Sequence, residues 1–163
     1  MTTPEMRILT VRQPWAWAII HGGKDVENRA RNLAGDYRGP VAIHAGLIVE
    51  PEDAAVWDMD EYRDAFSSAT AHVRHRVDER GSVLGVVDLV DVHRSSRLGG
   101  CADTNARSHM RRELCSPWAE ADTTHLVLEH PRLLAEPIPY RGALGLRRLD
   151  DTTTARILAQ IGA

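Results

Sequence analysis

Lysine is almost missing from this chain. Of its 20 lysine and arginine residues only Lys24 is lysine. Arginine serves nearly everywhere a generic cation is wanted, so the one lysine either fell there by chance or marks a need for a compact amine that can release its proton. Cysteine is scarce too. Cys101 and Cys115 are too few for a disulfide framework and, in the cytoplasmic location expected for the chain, read as free thiols. His93, His109 and His125 could complete a zinc site in number, but the spacing follows no finger or ribbon pattern. No metal and no cofactor is therefore expected. Long apolar runs are absent: nothing approaches the roughly 18 residues of a membrane span. Residues 1–7 carry no apolar signal core, so neither export nor membrane attachment is expected. An excess of positive charge is lacking as well. A net charge of −3 argues against nonspecific coating of nucleic acid, which is driven by counterion release and needs a basic face. A local basic cleft is compatible with that total.

What is present is average in bulk. The 163 residues, 43% hydrophobic and 26% charged, suit a single domain with one core. Arg7 to Val11 reads as a strand rich in branched residues. Pro14 opens a helix that runs from Trp15 to His21 and stops at Gly22-Gly23. That helix is apolar nearly all round, the mark of a buried one. Asp25 to Arg29 and Pro40 to Ala45 read as strands. Between 51 and 79, Val56, Met59, Tyr62, Phe66, Ala69, Val73 and Val77 recur at steps of three and four, which predicts helix, broken near Ser67-Ser68 and packed outside the main sheet. Ser82 to His93 is the strongest strand. A loop over 95–106 precedes a short helix over 106–114. Strands follow at Thr124 to Glu129 and Leu144 to Leu149, separated by a link containing Pro131, Pro137 and Pro139. A last helix runs from Thr152 to Ile161, capped by Asp150-Asp151. The order predicts an α+β fold with a mostly antiparallel, curled sheet.

The chemistry concentrates at Lys24, Glu27 and Arg29. If residues 25–29 are extended, Asp25, Glu27 and Arg29 share a face, because a strand repeats every two residues. Lys24 enters that face from the turn. One carboxylate between two cations supports three readings: a structural ion-pair triad, a phosphate or base-edge binding site, or catalysis. In the last, the Lys24 amine acts as nucleophile or general base and Arg29 steadies an oxygen. Gly22-Gly23-Lys24 is not a phosphate loop, since Ala18 and Asp25 stand where that pattern needs glycine and Ser or Thr.

The stretch from Leu9 to Arg29 resembles the opening of the ASCH family, the activating-signal-cointegrator homology domains. It has a strand, the helix start Gln13-Pro14-Trp15-Ala16, then a Gly-x-Lys-x-x-Glu-x-Arg step from Gly22 to Arg29. The resemblance continues at Tyr37-Arg38-Gly39-Pro40 with Ile43-His44-Ala45, at Gly85-Val86-Val87-Asp88-Leu89, and at Ile138-Pro139-Tyr140-Arg141-Gly142 with Leu144-Gly145-Leu146. It implies a PUA-like β-barrel of mostly antiparallel strands with flanking helices. The barrel would span 1–163 as one domain, with a helical insertion at about 51–79 and a cleft beside the first helix. It also implies RNA binding. A subgroup of small members resembles amidohydrolases that deacetylate N4-acetylcytidine through a lysine in the same step, and ribonuclease activity has been associated with the family. Glu27 stands where that subgroup has threonine, and the subgroup lacks the Gln-Pro-Trp-Ala segment.

The expected function is accordingly an RNA- or modified-nucleotide-binding protein. A small hydrolase, amidohydrolase or ribonuclease, is the first alternative and a protein-interaction module using the 51–79 helices the second. Lys24 and Glu27 are the catalytic candidates. Arg29, Trp15, Gln13, His44, Tyr140 and Arg141 are the nucleotide-binding candidates. Trp15 and Trp17 point about 200° apart on a helix, and Trp15 is the one expected at the cleft for base stacking. For His44 the competing reading is a hydrogen-bonded core histidine. Asp88, interrupting an apolar strand, needs an arginine partner.

Overall fold

The computed structural model describes residues 4–98, 100–101 and 113–162. In chain order the elements are β1 (Arg7–Gln13), α1 (Trp15–His21), β2 (Val26–Arg29), β3 (Gly39–Val49), α2 (Asp60–Ser68), α3 (Ala71–His75), β4 (Ser82–Arg94), β5 (Thr124–Pro139), β6 (Leu146–Arg148) and α4 (Asp151–Ile161). The expected helix over 106–114 falls largely outside the described residues. No helix among them is long and apolar enough to cross a membrane.

Among the described residues six strands form one sheet in the order β2-β5-β4-β3-β1-β6. Neighbours are antiparallel except β1 and β3, which run parallel. The fold is therefore α+β and mostly antiparallel, as the sequence predicts. The closed barrel is corrected: β2 and β6 stay at opposite edges, so the sheet is open. β2 and β6 are only 4 and 3 residues long. Edges that short leave little ladder with which to close a ring.

The proline-bearing segment after Glu129 also differs from expectation. It is not a link but the second half of β5. β2 pairs only with Thr124 to Val127, so β5 beyond that point has β4 alone beside it. Pro131 and Pro137 fall where the β4–β5 register slips, and Pro139 ends the strand. Bulges and one-sided pairing are the places where a strand tolerates a residue with no N–H.

Both faces of the sheet are covered, which explains the continuous apolar run of β4. Leu84, Val87 and Leu89 pack beneath α1 with Ile19, Ile20, Leu9 and Ile43. Val83 and Val86 face the other way, toward Ile157 of α4 and Met6. α1 crosses so close that a Cβ on Gly85 would lie 2.6 Å from the Arg132 carbonyl and 2.8 Å from Ile20 Cδ1. On its outer side, Trp17 is fully buried against Tyr62 and Phe66, and its indole N–H donates to the Val73 carbonyl at 2.7 Å. The helices between β3 and β4 thus form a further layer over α1. The break expected near Ser67-Ser68 is the turn after Ser68, where α3 is capped by the Thr70 hydroxyl accepting from Val73 N–H.

Candidate functional site

α1 ends where the sequence places its stop, and that stop sets Lys24. The N–H groups of Gly22 and Lys24 both donate to the Ala18 carbonyl, at 2.9 and 3.0 Å. Gly23 lies between them at φ 75°, a conformation that glycine adopts without strain. The chain then reverses into β2. The Lys24 side chain, 2% exposed, folds back over its own strand and donates to the Val26 carbonyl and to Glu27 Oε2, the latter at 3.2 Å.

Glu27 divides its carboxylate between two cations. Oε2 faces Lys24, and Oε1 meets Arg29 Nη2 at 3.1 Å. Arg29 also donates to the Thr10 carbonyl at 3.2 Å, while its buried Nε has no partner among the described residues. Glu27 and Arg29 share a strand face, as the period of two requires. Asp25 does not join them. It precedes β2, and its carboxylate accepts from Ser116 Oγ.

These three side chains line a cleft of about 720 Å³ between β1, β2 and the loop before β6. Trp15 lines it too, with its ring centroid 5.2 Å from Lys24 Nζ, and meets Trp118 edge to face at 6.4 Å. The mouth is apolar: Leu47, Ile48 and Leu144, exposed by 79%, 63% and 88%, all border it. Glu50 and Glu120 add negative charge to the wall. Asn28 organises the far side. It donates to the Trp118 carbonyl at 2.9 Å and accepts from the Glu120 N–H at 2.9 Å.

The remaining candidates lie elsewhere. Gln13 is fully buried; its carbonyl caps the Trp17 N–H at 2.9 Å, and its amide donates to the carbonyls of Arg76 and Glu79. His44 is a buried histidine held between the Tyr140 carbonyl at 2.8 Å and Thr10 Oγ1 at 3.2 Å, and burial lowers its pKa. Tyr140 donates its hydroxyl to Asp150 at 3.0 Å, and Arg141 is exposed beside the cleft-lining Gly142. Asp88 has its arginine: Arg132 grips it through both oxygens, at 2.7 and 3.0 Å. Sequence reasoning missed the apolar mouth. Its signal was three adjacent apolar residues, Leu47-Ile48-Val49, that end β3 outside any alternating pattern.

Behind the cleft wall, His93, Cys101, Cys115 and His125 bring one ligand atom each to within 4.8 Å of one another. His109, the third histidine considered for such a site, lies outside the described residues.

An open, mostly antiparallel sheet with a buried helix on one face and a cleft at that helix's C-terminal turn defines an α+β protein. No family model matches the chain. Among solved structures, a point-mutant form of the ASCH protein of Zymomonas mobilis, ZmASCH, aligns with a TM-score of 0.52 and 16% identity over 96% of this chain and 98% of that one. The crystal structure of ASCH from the same organism aligns with a TM-score of 0.48 and 15% identity, over 93% of each chain. The first of these likenesses shows the ASCH fold.

Proposed function

We propose that the cleft binds one nucleotide of an RNA, or a modified nucleoside. The observation that carries this reading is the pairing of two chemistries in one cavity. The Lys24–Glu27–Arg29 triad carries a net positive charge on one wall. Trp15 and the apolar mouth offer surface for a base. The volume lies inside the ~300–1,000 Å³ range of small-molecule sites, which suits a single nucleotide rather than a long strand. Glu120 points the same way, since a carboxylate on the wall disfavours a run of phosphates, whereas Glu50 is offset by Arg12 at 3.9 Å. Titration of fluorescent single-stranded RNA and of free nucleosides at low salt tests this. Arg29→Ala should weaken binding roughly tenfold or more, the contribution of one charge-assisted hydrogen bond. Absence of any affinity in the wild-type protein would refute the reading.

A second reading makes the same cleft hydrolytic, acting on an N-acylated nucleoside or an RNA phosphodiester. It is favoured by one observation, the Lys24 amine 3.2 Å from a carboxylate at the cavity wall. That is hydrogen-bond reach for moving a proton between the two groups. Lys24→Arg separates the two readings. A binder keeps part of its affinity, whereas a catalyst loses turnover as fully as with Lys24→Ala, because arginine does not release its proton.

A further inference from the structure

We propose that His93, Cys101, Cys115 and His125 form a tetrahedral Cys2His2 zinc site that ties Cys101 and Cys115 to the paired ends of β4 and β5. None of the four residues lines the cleft, and the site does not depend on the function assigned to it.

The two histidines are placed by strand register. His93 near the end of β4 and His125 at the start of β5 are direct antiparallel partners, so their side chains leave the same face of the sheet. Their rings sit edge to face, 5.2 Å between centroids. His125 Nδ1 is the hub: it lies 3.3 Å from His93 Nε2, 3.4 Å from Cys101 Sγ and 3.5 Å from Cys115 Sγ. In a zinc tetrahedron with Zn–N near 2.0–2.1 Å and Zn–S near 2.3 Å, the edges between ligand atoms come to about 3.3–3.8 Å. The three separations from His125 Nδ1 fall within that range, and the remaining ones stay within 4.8 Å.

Orientation is the stronger argument. His125 Nε2 donates to the Glu120 carbonyl at 2.7 Å, and His93 Nδ1 pairs with Asp91 Oδ2 at 2.8 Å. Each imidazole thus carries its proton on the outward nitrogen and turns a lone pair inward. A carbonyl or carboxylate behind a histidine is what fixes tautomer and ring angle in metal sites. With those tautomers His93 Nε2 and His125 Nδ1 are both acceptors, and two acceptors 3.3 Å apart repel unless something between them accepts electron pairs. Both thiols reach His125 Nδ1, and among the described residues neither hydrogen-bonds to His93 Nε2, so their protons serve one ring and not both. A dication resolves all of it: the two thiols lose their protons to solvent, two S–Zn and two N–Zn bonds form, and the site is neutral. Two sulfurs and two nitrogens in a tetrahedron select zinc, and four protein ligands leave no open position. The role is therefore structural. Cys115 immediately precedes Ser116, which holds Asp25 and accepts from the Trp118 N–H at 3.1 Å, so the site braces the far wall of the cleft as well.

The test is metal analysis of the purified full chain, followed by cobalt titration of the chelator-stripped protein. The expected result is about one zinc per chain, and a cobalt form with tetrahedral ligand-field bands and thiolate charge transfer. Cys115→Ser should lose the charge-transfer intensity of one thiolate. Asp91→Ala should keep all four ligands yet bind zinc roughly 10–100-fold more weakly. Octahedral cobalt spectra, thiolate charge-transfer intensity unchanged in Cys115→Ser, or a thiol count that shows Cys101 and Cys115 oxidised to a disulfide would each overturn the proposal. If the serine variant does not fold, the wild-type cobalt spectrum decides alone.

Discussion

The cleft and the cysteine–histidine cluster lie on adjoining parts of the molecule and are wired in opposite senses. In the cleft the charges are matched to one another: Lys24 and Arg29 each take one oxygen of Glu27, and Lys24 adds the Val26 carbonyl. The triad is complete by itself, and only the Arg29 Nε is left over. In the cluster the outward nitrogens are satisfied by Asp91 and Glu120, while the inward atoms converge on one another among the described residues. A self-paired polar group holds its shape with or without a ligand. A convergent set of lone pairs holds its shape only around an ion. The cleft should therefore be preformed, and the cluster should respond strongly to what occupies it.

The largest expected effect follows from that contrast. At free zinc a thousandfold above its dissociation constant, occupancy adds about 4 kcal/mol to stability, and chelation removes it. Urea unfolding with and without chelator measures this, and unchanged midpoints would erase the distinction between the regions. Because this chain has a core of its own, the stripped protein should still unfold cooperatively. It should not behave like an isolated finger, which collapses without its metal.

Glu27→Gln probes the other region and comes second. The glutamine amide can still accept a hydrogen bond but carries no charge, so the Lys24 ammonium stays buried at 2% exposure without the carboxylate that balanced it. Breaking a buried pair in this way costs about 3 kcal/mol. Zinc content should not change. A fall in zinc affinity in this variant would show that the Asp25–Ser116 contact couples the two sites.

The two regions also differ in how far they can be read from sequence. The Lys24 site is local. A strand, a buried helix, paired glycines and a second strand lie within about twenty consecutive residues, and the period-two rule puts Glu27 and Arg29 on one face. Its mouth is not local, because Leu47 and Leu144 arrive from β3 and from the loop before β6. The cluster cannot be read at all from spacing. His93 and His125 are 32 residues apart and meet only because β4 and β5 pair in that register, and no finger pattern has that separation. The same limit explains the barrel. Local propensity finds the strands, but whether the outer two meet depends on the twist and length of the edges. Gln13 and His44 show a further limit: a polar residue inside a motif can be held by backbone partners in the core, and sequence does not distinguish that from a place at the surface of a cleft.

The smallest effect belongs to a third polar group that is neither self-contained nor convergent, and it serves as the reference for both. Asp88 on β4 is gripped through both oxygens by Arg132, and that contact holds its carboxyl below the usual carboxylate range. The sign is fixed: a depressed folded pKa gives stability that is present above the unfolded value near 4 and is lost as pH falls through the folded one. The carboxylate side chain is 31% exposed, so solvent screening keeps the contribution to about 1 kcal/mol or less. Arg132→Ala should therefore flatten the decline of stability below about pH 4. Chemical denaturation across that range, on the chelator-stripped protein so that acid release of zinc does not contribute, measures the slope. An identical slope in the variant would mean that Asp88 is held by its other neighbour, His130 Nδ1 at 3.1 Å, rather than by the arginine.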